Sequence, residues 1–428
     1  MPFHAISRRG FLGSSAALAA ALPQAANVNQ TIENAKQAAL DILKPSARDL
    51  DHGLKLHAES LVFDGYGFAP RAAVDGDAIR QAVEAGASDI ELQDMREDMG
   101  MTRAAVNAAE RAEFLQAWKT SGVTCVFQNC GEESNDPMVL MKRLARFTYL
   151  TDELRDDLRR AVFPGDVQRA KDAGAGCLYF TGNGVPLTQA WVSPEDELRY
   201  IRIFYQLGIR MMHVTYNRRN PLGDGCAETS NAGLSDFGRA AVDELNRVGV
   251  IVDVAHSGWQ TSLEAAQRSS KPMVASHSTC GALFAHIRSK PDPVIRAIVD
   301  TGGYIGICCI PRFLRRSGDI AALLDHIDHV VKKFGPDHVA IGTDVAYQSR
   351  LASGAIAKLP PRPKQRTRWA ALWPPDSFNT TEQMTRSLAW TNWPLYTVGM
   401  VQRGHSDDVI RKIIGGNVLR VLEANLAG

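Results

Sequence analysis

Three short apolar segments each end in a side chain that can bind a metal ion or carry a proton. They are Ile251–His256, Pro272–His277 and His338–Asp344. Because the carboxyl ends of neighbouring parallel strands meet at one face of a sheet, we expect the two histidines and the aspartate to share a site. Neutral imidazoles suit zinc or a similar divalent ion, and a nearby carboxylate can bind that ion or accept a proton from its water. The pattern therefore predicts a metal-dependent hydrolytic site.

These segments belong to a series of eight strand candidates that alternate with helical stretches. Most are rich in β-branched or aromatic residues and are bounded by Gly, Asn, Asp or Ser. The eight are Leu61–Gly65, Gly122–Gln128, Cys177–Thr181, Met211–Tyr216, Val250–His256, Met273–His277, Tyr304–Ile310 and His338–Asp344. This alternation favours a parallel sheet, and eight such units favour an α/β fold closed into a (β/α)8 barrel of the TIM type. An open doubly wound sheet is the alternative, weakened because no glycine-rich phosphate loop follows the first strand.

The pattern divides the chain into a helical lead-in over residues 27–59 and a barrel over residues 60–428, which ends in C-terminal helices. Two insertions interrupt the barrel, residues 69–112 after the first strand and residues 348–378 after the eighth. The second insertion contains the proline-rich run Pro360–Lys364. Both lie where strands lead into helices, the face on which barrels build their sites, so we expect them to form lids or substrate walls.

The first 26 residues have the pattern of an export signal. Twin arginines within Ser7–Gly13 precede Phe-Leu and then an alanine-rich, weakly hydrophobic stretch. This order is typical of twin-arginine signals, which export proteins already folded, and it predicts a periplasmic protein. The alternative is a chance pair of arginines before a surface helix.

Composition limits the partners of the chain. A formal net charge of +1 gives no sign of a nucleic-acid partner or of a polybasic membrane contact. No apolar run approaches the roughly 20 residues that a transmembrane segment needs. The chain has seven cysteines, several of them inside apolar runs, which predicts about one or two disulfide bridges at most and no disulfide framework.

Over Val62–Ala424 the sequence resembles the renal (membrane) dipeptidase family of zinc peptidases, within the amidohydrolase-type barrels. The stretches that carry the resemblance include Tyr205–Arg210, Thr215–Asn220, Gly233–Gly238, Asp253–Ser257, Ala275–Ser278, Gly302–Gly306, Gly342–Asp344 and Gly415–Arg420. The resemblance implies a dipeptide-like or other small-molecule substrate and zinc as the cofactor.

The resemblance also implies roles for individual residues. His256 and His277 match two histidines that bind one zinc of a binuclear pair, and Asp344 matches the acid that handles the proton of the attacking water. Arg288 matches the arginine that grips the terminal carboxylate of the substrate, with a solvated loop arginine as the alternative. Tyr216 stands where many members carry a histidine that stabilises the tetrahedral intermediate. Its hydroxyl could donate to an oxyanion, or its ring could simply pack.

Two further residues lie close to the same strand. Asn220, just beyond it, is a candidate substrate contact, with ordinary loop hydrogen bonding as the alternative. His213 is three residues before Tyr216, so alternation along a strand points the two side chains in opposite directions. We therefore interpret His213 as a core residue.

Three positions depart from the family pattern. The first strand of the family supplies a histidine and an aspartate to the metals, and Tyr66 and Phe68 stand at those positions. The bridging glutamate at the end of strand 3 aligns with Thr181. A binuclear site of the family type cannot be assembled from the ligands that remain. Asp64, two residues before Tyr66 and on the same side of an ideal strand, is a candidate replacement ligand.

Two interpretations follow from these departures. In the first, His256 and His277 hold one zinc ion with help from Asp344, another side chain or water, and the protein is a metallopeptidase that cleaves a dipeptide or related amide. In the second, the metal is lost, and the barrel binds or helps to mature a small peptide-like ligand in the bacterial envelope. Both interpretations leave a homodimer open.

Overall fold

The computed structural model describes residues 29–131, 135–358 and 374–426. Eight parallel strands lie side by side in chain order and form a nearly closed barrel, which confirms the predicted (β/α)8 fold. The strands are β1 (Phe63–Gly67), β2 (Cys125–Asn129), β3 (Gly176–Gly182), β4 (Ile209–His213), β5 (Ile251–Asp253), β6 (Val274–Cys280), β7 (Tyr304–Ile307) and β8 (Val339–Ile341). Two shorter strands, Leu158–Arg160 and Ser289–Lys290, pair with β3 and β6.

Helices fill the connections and cover the barrel. In chain order, the longer ones are Gln30–Leu43, Ala47–Glu59, Gly76–Glu84, Asp89–Val106, Ala108–Ser121, Pro137–Glu153, Gly165–Asp172, Pro194–Gln206, Asp236–Val248, Trp259–Arg268, Asp292–Asp300, Ile320–Phe334, Trp393–Gln402 and Asn417–Leu426. Shorter ones are Pro311–Leu314, Pro336–His338, Ala352–Ile356, Glu382–Ser387, Trp390–Asn392, Asp407–Arg411 and Lys412–Gly416. The predicted export signal and the run Pro360–Lys364 lie outside the described residues.

Two hydrophobic layers explain why the strands are nearly continuous apolar runs in the sequence. One layer fills the barrel, where Phe63 stacks on Phe127 with ring centroids 5.1 Å apart. Val418 and Leu422 of the last helix pack into the same layer. The other layer lies between the strands and the surrounding helices.

A β-bulge in β1 sets the direction of its last residues. The stretch from Asp64 to Gly67 pairs with a shorter stretch of β2, so β1 carries an extra residue there. Phe63 and Tyr66 both pack in the interior layer, although strict alternation would point them in opposite directions. The bulge therefore turns Tyr66 into the barrel.

Side chains close the seam between β8 and β1, where no backbone ladder joins the described strands. The carboxylate of Asp64 accepts hydrogen bonds from the backbone nitrogen of Thr343 at 2.9 Å and from its hydroxyl at 2.6 Å. The indole of Trp390 donates to the same carboxylate at 3.1 Å. The backbone nitrogen of Asp344 donates to the carbonyl oxygen of Tyr66 at 3.0 Å. Because Asp344 comes just after β8, closure of the barrel fixes its position.

Two features bear on the surroundings of the chain. None of the described helices combines the length and the hydrophobicity needed to cross a bilayer. All seven cysteines are free thiols, and Cys226 is the one that is partly exposed.

Candidate metal centre

Three histidines converge at the carboxyl ends of neighbouring strands. His213 ends β4, His256 follows β5 by three residues, and His277 lies within β6. Their potential metal-binding nitrogens lie within 4.8 Å of one another. The Nε2 atoms of His256 and His277 are 2.9 Å apart. The structure thus brings His256 and His277 together and adds a third imidazole to them.

Two of the rings are oriented by acceptors at Nδ1. The Nδ1 atom of His213 lies 3.0 Å from the carbonyl oxygen of Gly182. Because a carbonyl oxygen only accepts, His213 carries its proton on Nδ1. The Nδ1 atom of His256 lies 2.7 Å from the amide oxygen of Asn217 and donates to it in the same way. Both rings therefore present an Nε2 lone pair to the cluster.

A relay through Ser276 to Asp253 orients the third ring. The Nδ1 atom of His277 lies 2.8 Å from the hydroxyl of Ser276, which donates to the carboxylate of Asp253. Because a hydroxyl has one proton and here gives it to the carboxylate, His277 must donate from Nδ1. Outer partners of this kind fix the tautomer and the direction of histidines that bind metals.

The surroundings keep the three imidazoles neutral. Their exposed fractions are 0% for His213, 3% for His256 and 0% for His277. Burial lowers the pKa of all three, and the pKa values of His256 and His277 fall well below the ordinary value because the charge of Arg288 adds to the effect of burial. Neutral imidazole is the form that binds metal ions.

His213 is fully buried, as its interpretation as a core residue predicts, but its ring turns toward the cluster and not away from it. The predicted strand Met211–Tyr216 stops at His213, and Tyr216 lies beyond it in a turn. Alternation therefore does not extend to Tyr216, and both rings contact His256. The sequence signal was the one used for the other two histidines, namely a histidine that follows a short apolar segment.

Two tyrosines flank the cluster. Tyr66 stacks on His277 with ring centroids 3.8 Å apart and 15° between the planes. Tyr216 stacks on His256 with centroids 3.9 Å apart and 21° between the planes. The hydroxyl of Tyr66 donates to the amide oxygen of Asn183. Tyr216, for which hydroxyl donation to an oxyanion and ring packing were the two alternatives, contacts the cluster through the face of its ring.

The residues that replace the other metal ligands of the family, Tyr66, Phe68 and Thr181, fit a site for one ion and not for two. Tyr66 covers His277, and Phe68 lies against Arg71, whose guanidinium carbon is 4.8 Å from the ring centroid. Thr181 is fully buried, and its hydroxyl has no hydrogen-bond partner among the described residues. Within the same residues, the three histidines are the only group of three side chains with suitable metal-ligand spacing.

Asp64 lies away from the cluster, so its prediction as a replacement ligand is wrong. Its carboxylate is bonded to Thr343 and Trp390 at the seam. The prediction assumed strict alternation from Asp64 to Tyr66, and the extra residue of the bulge breaks that alternation. Burial raises the pKa of Asp64 from an ordinary 3.8 to about 7, and the bonds to Thr343 and Trp390 oppose the rise.

Asp344 combines a strained backbone with an acidity close to neutral pH. Its φ angle is 57°, and that of Asn217 is 52°, which places both in the left-handed region. Strain of this kind concentrates at functional sites. Burial raises the pKa of Asp344 to about 6, although the positive charges of Arg288 and Arg312 oppose the rise. Asp344 is not one of the three clustered ligands, so its chemistry suits proton transfer more than metal binding.

Arg288 lies beneath the cluster with 1% of its surface exposed, so the alternative of a solvated loop arginine is wrong. Its guanidinium donates to the carbonyl oxygens of Ala255 and His277, the latter at 2.9 Å. Its Nε atom has no hydrogen-bond partner within the described part of the chain. Arg288 therefore ties together the segments that carry His256 and His277 and retains one donor.

Asn220 has its amide engaged within its own loop. Its nitrogen donates to the carbonyl oxygen of Val214 at 3.0 Å, and its oxygen accepts from the backbone nitrogens of Leu222 and Gly223 at 2.8 and 3.2 Å. These contacts match ordinary loop hydrogen bonding. The loop partner that the sequence reasoning missed is Asn217, which no local pattern distinguishes.

The chain is similar to several known proteins in sequence and in fold. The dipeptidase tcpJ of Claviceps purpurea (strain 20.1) is 29% identical over 227 residues, which cover 52% of this chain and 46% of that protein. The chain thus spans about half the length of this curated relative. Among solved structures, an amidohydrolase from Pseudomonas aeruginosa superposes with a TM-score of 0.64 at 23% identity, over 88% of this chain and 99% of that chain.

A second solved structure has the same degree of similarity. The probable dipeptidase PvdM from Pseudomonas aeruginosa superposes with a TM-score of 0.64 at 20% identity, over 89% of this chain and 99% of that chain. Both structural likenesses support the fold. The sequence model of the membrane dipeptidases (Peptidase family M19) matches residues 54–354, well over half of the chain. The chain therefore belongs to the membrane dipeptidase family.

Proposed function

We propose that the protein is a zinc-dependent hydrolase that cleaves a dipeptide or a related small amide. The observation that carries the proposal is the pair of Nε2 atoms of His256 and His277, 2.9 Å apart at the strand ends of a dipeptidase-family barrel. A zinc ion bound there would polarise the amide carbonyl and lower the pKa of a bound water to about 7. The family match does not favour the alternative of a binding or maturation barrel without catalysis.

Asp344 is the proton acceptor in this proposal. A carboxyl group with a pKa of about 6 is mostly ionised at neutral pH and still basic enough to take a proton and return it to a leaving amine. Its position is fixed from both sides, because Thr343 is bonded to Asp64 and the nitrogen of Asp344 is bonded to Tyr66.

Arg288 places a positive charge beside the histidine cluster. Its bonds to the carbonyl oxygens of Ala255 and His277 hold the guanidinium in one orientation. The remaining Nε donor and the buried charge favour a substrate with a carboxylate, as dipeptides have. Tyr216, stacked on His256, lies on one side of the cluster.

Hydrolysis of L-Ala-L-Ala and L-Ala-D-Ala by the purified chain, loaded with zinc, tests this proposal. We expect amine release from at least one of them and its loss in Asp344→Asn. Asp408→Asn is a matched control, since the Asp408 side chain is 92% exposed and its ion pair among the described residues is with Arg411 on its own helix. A zinc-loaded protein that releases no amine from these or other dipeptides contradicts the proposal.

We also propose that residues 1–26 export the folded protein to the periplasm by the twin-arginine route. The support is the order of the twin arginines, Phe-Leu and the alanine-rich stretch. A fluorescent reporter fused behind residues 1–26 should reach the periplasm of a suitable bacterium, and changing Arg8 and Arg9 to lysine should retain it in the cytoplasm. A homodimer stays a prediction, and the mass of the mature chain in solution will decide it.

A further inference from the structure

We propose that His213 is the third ligand of a single-ion site, in which His213, His256 and His277 each bind through Nε2. This assignment deepens the proposed function, since it concerns the same site, but metal binding can be measured without hydrolysis. Neither the family pattern nor the sequence predictions gave His213 this role. The argument rests on proton positions, on the outer partners of the rings and on the residues that fill the rest of the site.

The Nδ1 atom of each ring has its own partner, so Nε2 is the atom that each ring turns toward the cluster. The Nε2 atom of His213 is fully buried and has no hydrogen-bond partner among the described residues. Its nearest charged neighbour is the Oδ2 atom of Asp253 at 3.1 Å, which does not meet hydrogen-bond geometry. An orphaned buried acceptor is costly unless a ligand or ion satisfies it.

The spacing of His256 and His277 fits the same ion. Both rings donate from Nδ1, and their Nε2 atoms lie 2.9 Å apart. Two ligands of a tetrahedral zinc ion, each about 2.0–2.1 Å from the metal, lie about 3.3 Å apart. The observed spacing is close to that value. The potential ligand atoms of all three histidines lie within 4.8 Å of one another, so a small movement of the rings would place His213 on the same ion.

The outer partners are those of a ligand set. Three separate acceptors hold the three Nδ1 protons, namely the carbonyl oxygen of Gly182, the amide of Asn217 and the hydroxyl of Ser276 backed by Asp253. Such partners orient metal-binding histidines in general and raise their basicity. If His213 served only to fill the core, its buried Nε2 atom would be expected to have a hydrogen-bond partner.

The rest of the site leaves no room for the second ion of the family pattern. The ring of Tyr66 lies 3.8 Å from that of His277 and is bonded to Asn183. Thr181 offers a neutral hydroxyl in place of a carboxylate. The clustered ligand set consists of three neutral imidazoles, and such a set selects a borderline ion such as Zn²⁺ or Co²⁺ over Mg²⁺ or Ca²⁺.

Metal titration of the whole mature chain tests the assignment. We expect the metal-free protein to take up one Zn²⁺ or one Co²⁺ per chain, counted by elemental analysis after gel filtration. In the proton NMR spectrum of the Co²⁺ form, three exchangeable hyperfine-shifted signals are expected, because each ligand retains its Nδ1 proton. Two bound ions, no bound ion, or two such signals in place of three would overturn the assignment.

A pair of variants gives an independent measurement. His213→Gln should weaken Zn²⁺ binding by at least about 100-fold, the upper end of what loss of an outer partner costs. His57→Gln is the matched control. His57 is also buried, but its nitrogens are bonded to Thr397 and to the carbonyl of Ser121. Equal zinc affinity in His213→Gln and the unmodified chain contradicts the assignment, and if that variant fails to fold, the NMR count decides.

The proposed three-histidine site and the proposed hydrolysis can be refuted independently of each other. A chain that binds one ion through three imidazoles but cleaves no dipeptide supports the three-histidine site and refutes the proposed hydrolysis. A chain that cleaves dipeptides with two ions bound refutes the three-histidine site and supports the hydrolysis.

Discussion

The seam residue Asp64 makes the stability of the barrel depend on pH in a direction unusual for a carboxylate. It is fully buried, and its four hydrogen bonds come from Thr343, Trp390 and the backbone nitrogen of Tyr66. Burial raises its pKa from an ordinary 3.8 to about 7 in spite of these donors. Between these two values the unfolded chain has released the proton of Asp64, whereas the folded chain still holds it. The contribution of this group to stability is therefore complete below about pH 4 and is lost as the pH rises through 7.

The size of the effect follows from the shift. One pKa unit corresponds to about 1.4 kcal/mol, so the raised pKa of Asp64 is equivalent to roughly 4 kcal/mol between pH 4 and pH 8. In Asp64→Asn there is no proton to release, and this pH-dependent contribution disappears. The amide also turns an NH₂ group toward the hydroxyl of Thr343 or the indole of Trp390, which costs about 1–3 kcal/mol per lost bond at any pH.

Urea unfolding of both proteins at a series of pH values measures this difference directly. We expect Asp64→Asn to be less stable than the unmodified chain by the largest amount near pH 4, and the gap to shrink by about 4 kcal/mol toward pH 8. The control Asp408→Asn should show a small difference that does not change over pH 5–8. A gap that stays constant, or that widens as the pH rises, would show that the ionised form of Asp64 is the stabilising one and would refute the reasoning.

Three further predictions concern the site itself. The value of kcat/KM should rise with pH through about 6 as Asp344 loses its proton. Asp344→Asn should abolish this rise and lower kcat/KM by about 10²–10⁴-fold. An unchanged pH profile in the variant would exclude Asp344 as the base. In Arg288→Lys, one amine cannot satisfy the carbonyl oxygens of both Ala255 and His277, so urea unfolding should show a loss of about 1–3 kcal/mol together with a higher KM; wild-type values for both would contradict the role. Tyr66→Phe keeps the stack and loses the hydroxyl bond to Asn183, which should cost about 1 kcal/mol and leave zinc affinity unchanged. Weaker zinc binding would mean that the hydroxyl reaches the ion.

The barrel could be predicted from the sequence because each strand is buried on both faces. Such strands are continuous apolar segments with helical stretches between them, and parallel order follows from that alternation. The convergence of His256 and His277 followed from the same logic, since both lie at strand ends. Physical features shared by the whole fold are therefore visible in local sequence.

Two errors have a common origin in backbone details. His213 was placed on the wrong face because β4 ends at that residue, and Asp64 because β1 carries an extra residue before Tyr66. A change of one residue in length or register reverses the direction of every later side chain. No residue type in these segments indicates where the strand ends or where the extra residue lies, so an argument from alternation cannot detect either.

The hydrogen-bond partners of the imidazole Nδ1 atoms could not be predicted from the sequence for a different reason. Asn217 comes from a loop in a left-handed conformation, and Ser276 and Asp253 meet only after β5 and β6 have paired. Contacts of this kind depend on loop geometry and on neighbouring strands. Sequence spacing alone carries no information about them.

The side-chain seam between β1 and β8 has a consequence for how quickly molecules can enter and leave. The three imidazoles are sealed from solvent, and Tyr66, which covers His277, belongs to the strand on one side of the seam. Elsewhere around the barrel, backbone ladders resist separation, whereas here the carboxylate of Asp64 and the backbone hydrogen bond from Asp344 to Tyr66 hold the strands. A brief parting of β1 from β8 would lift Tyr66 and open a path for water and ions. We therefore expect the exchange of water and ions between the cluster and the solvent to occur at the rate at which this strand pair opens. That rate should not depend on the concentration of a chelator in the solution.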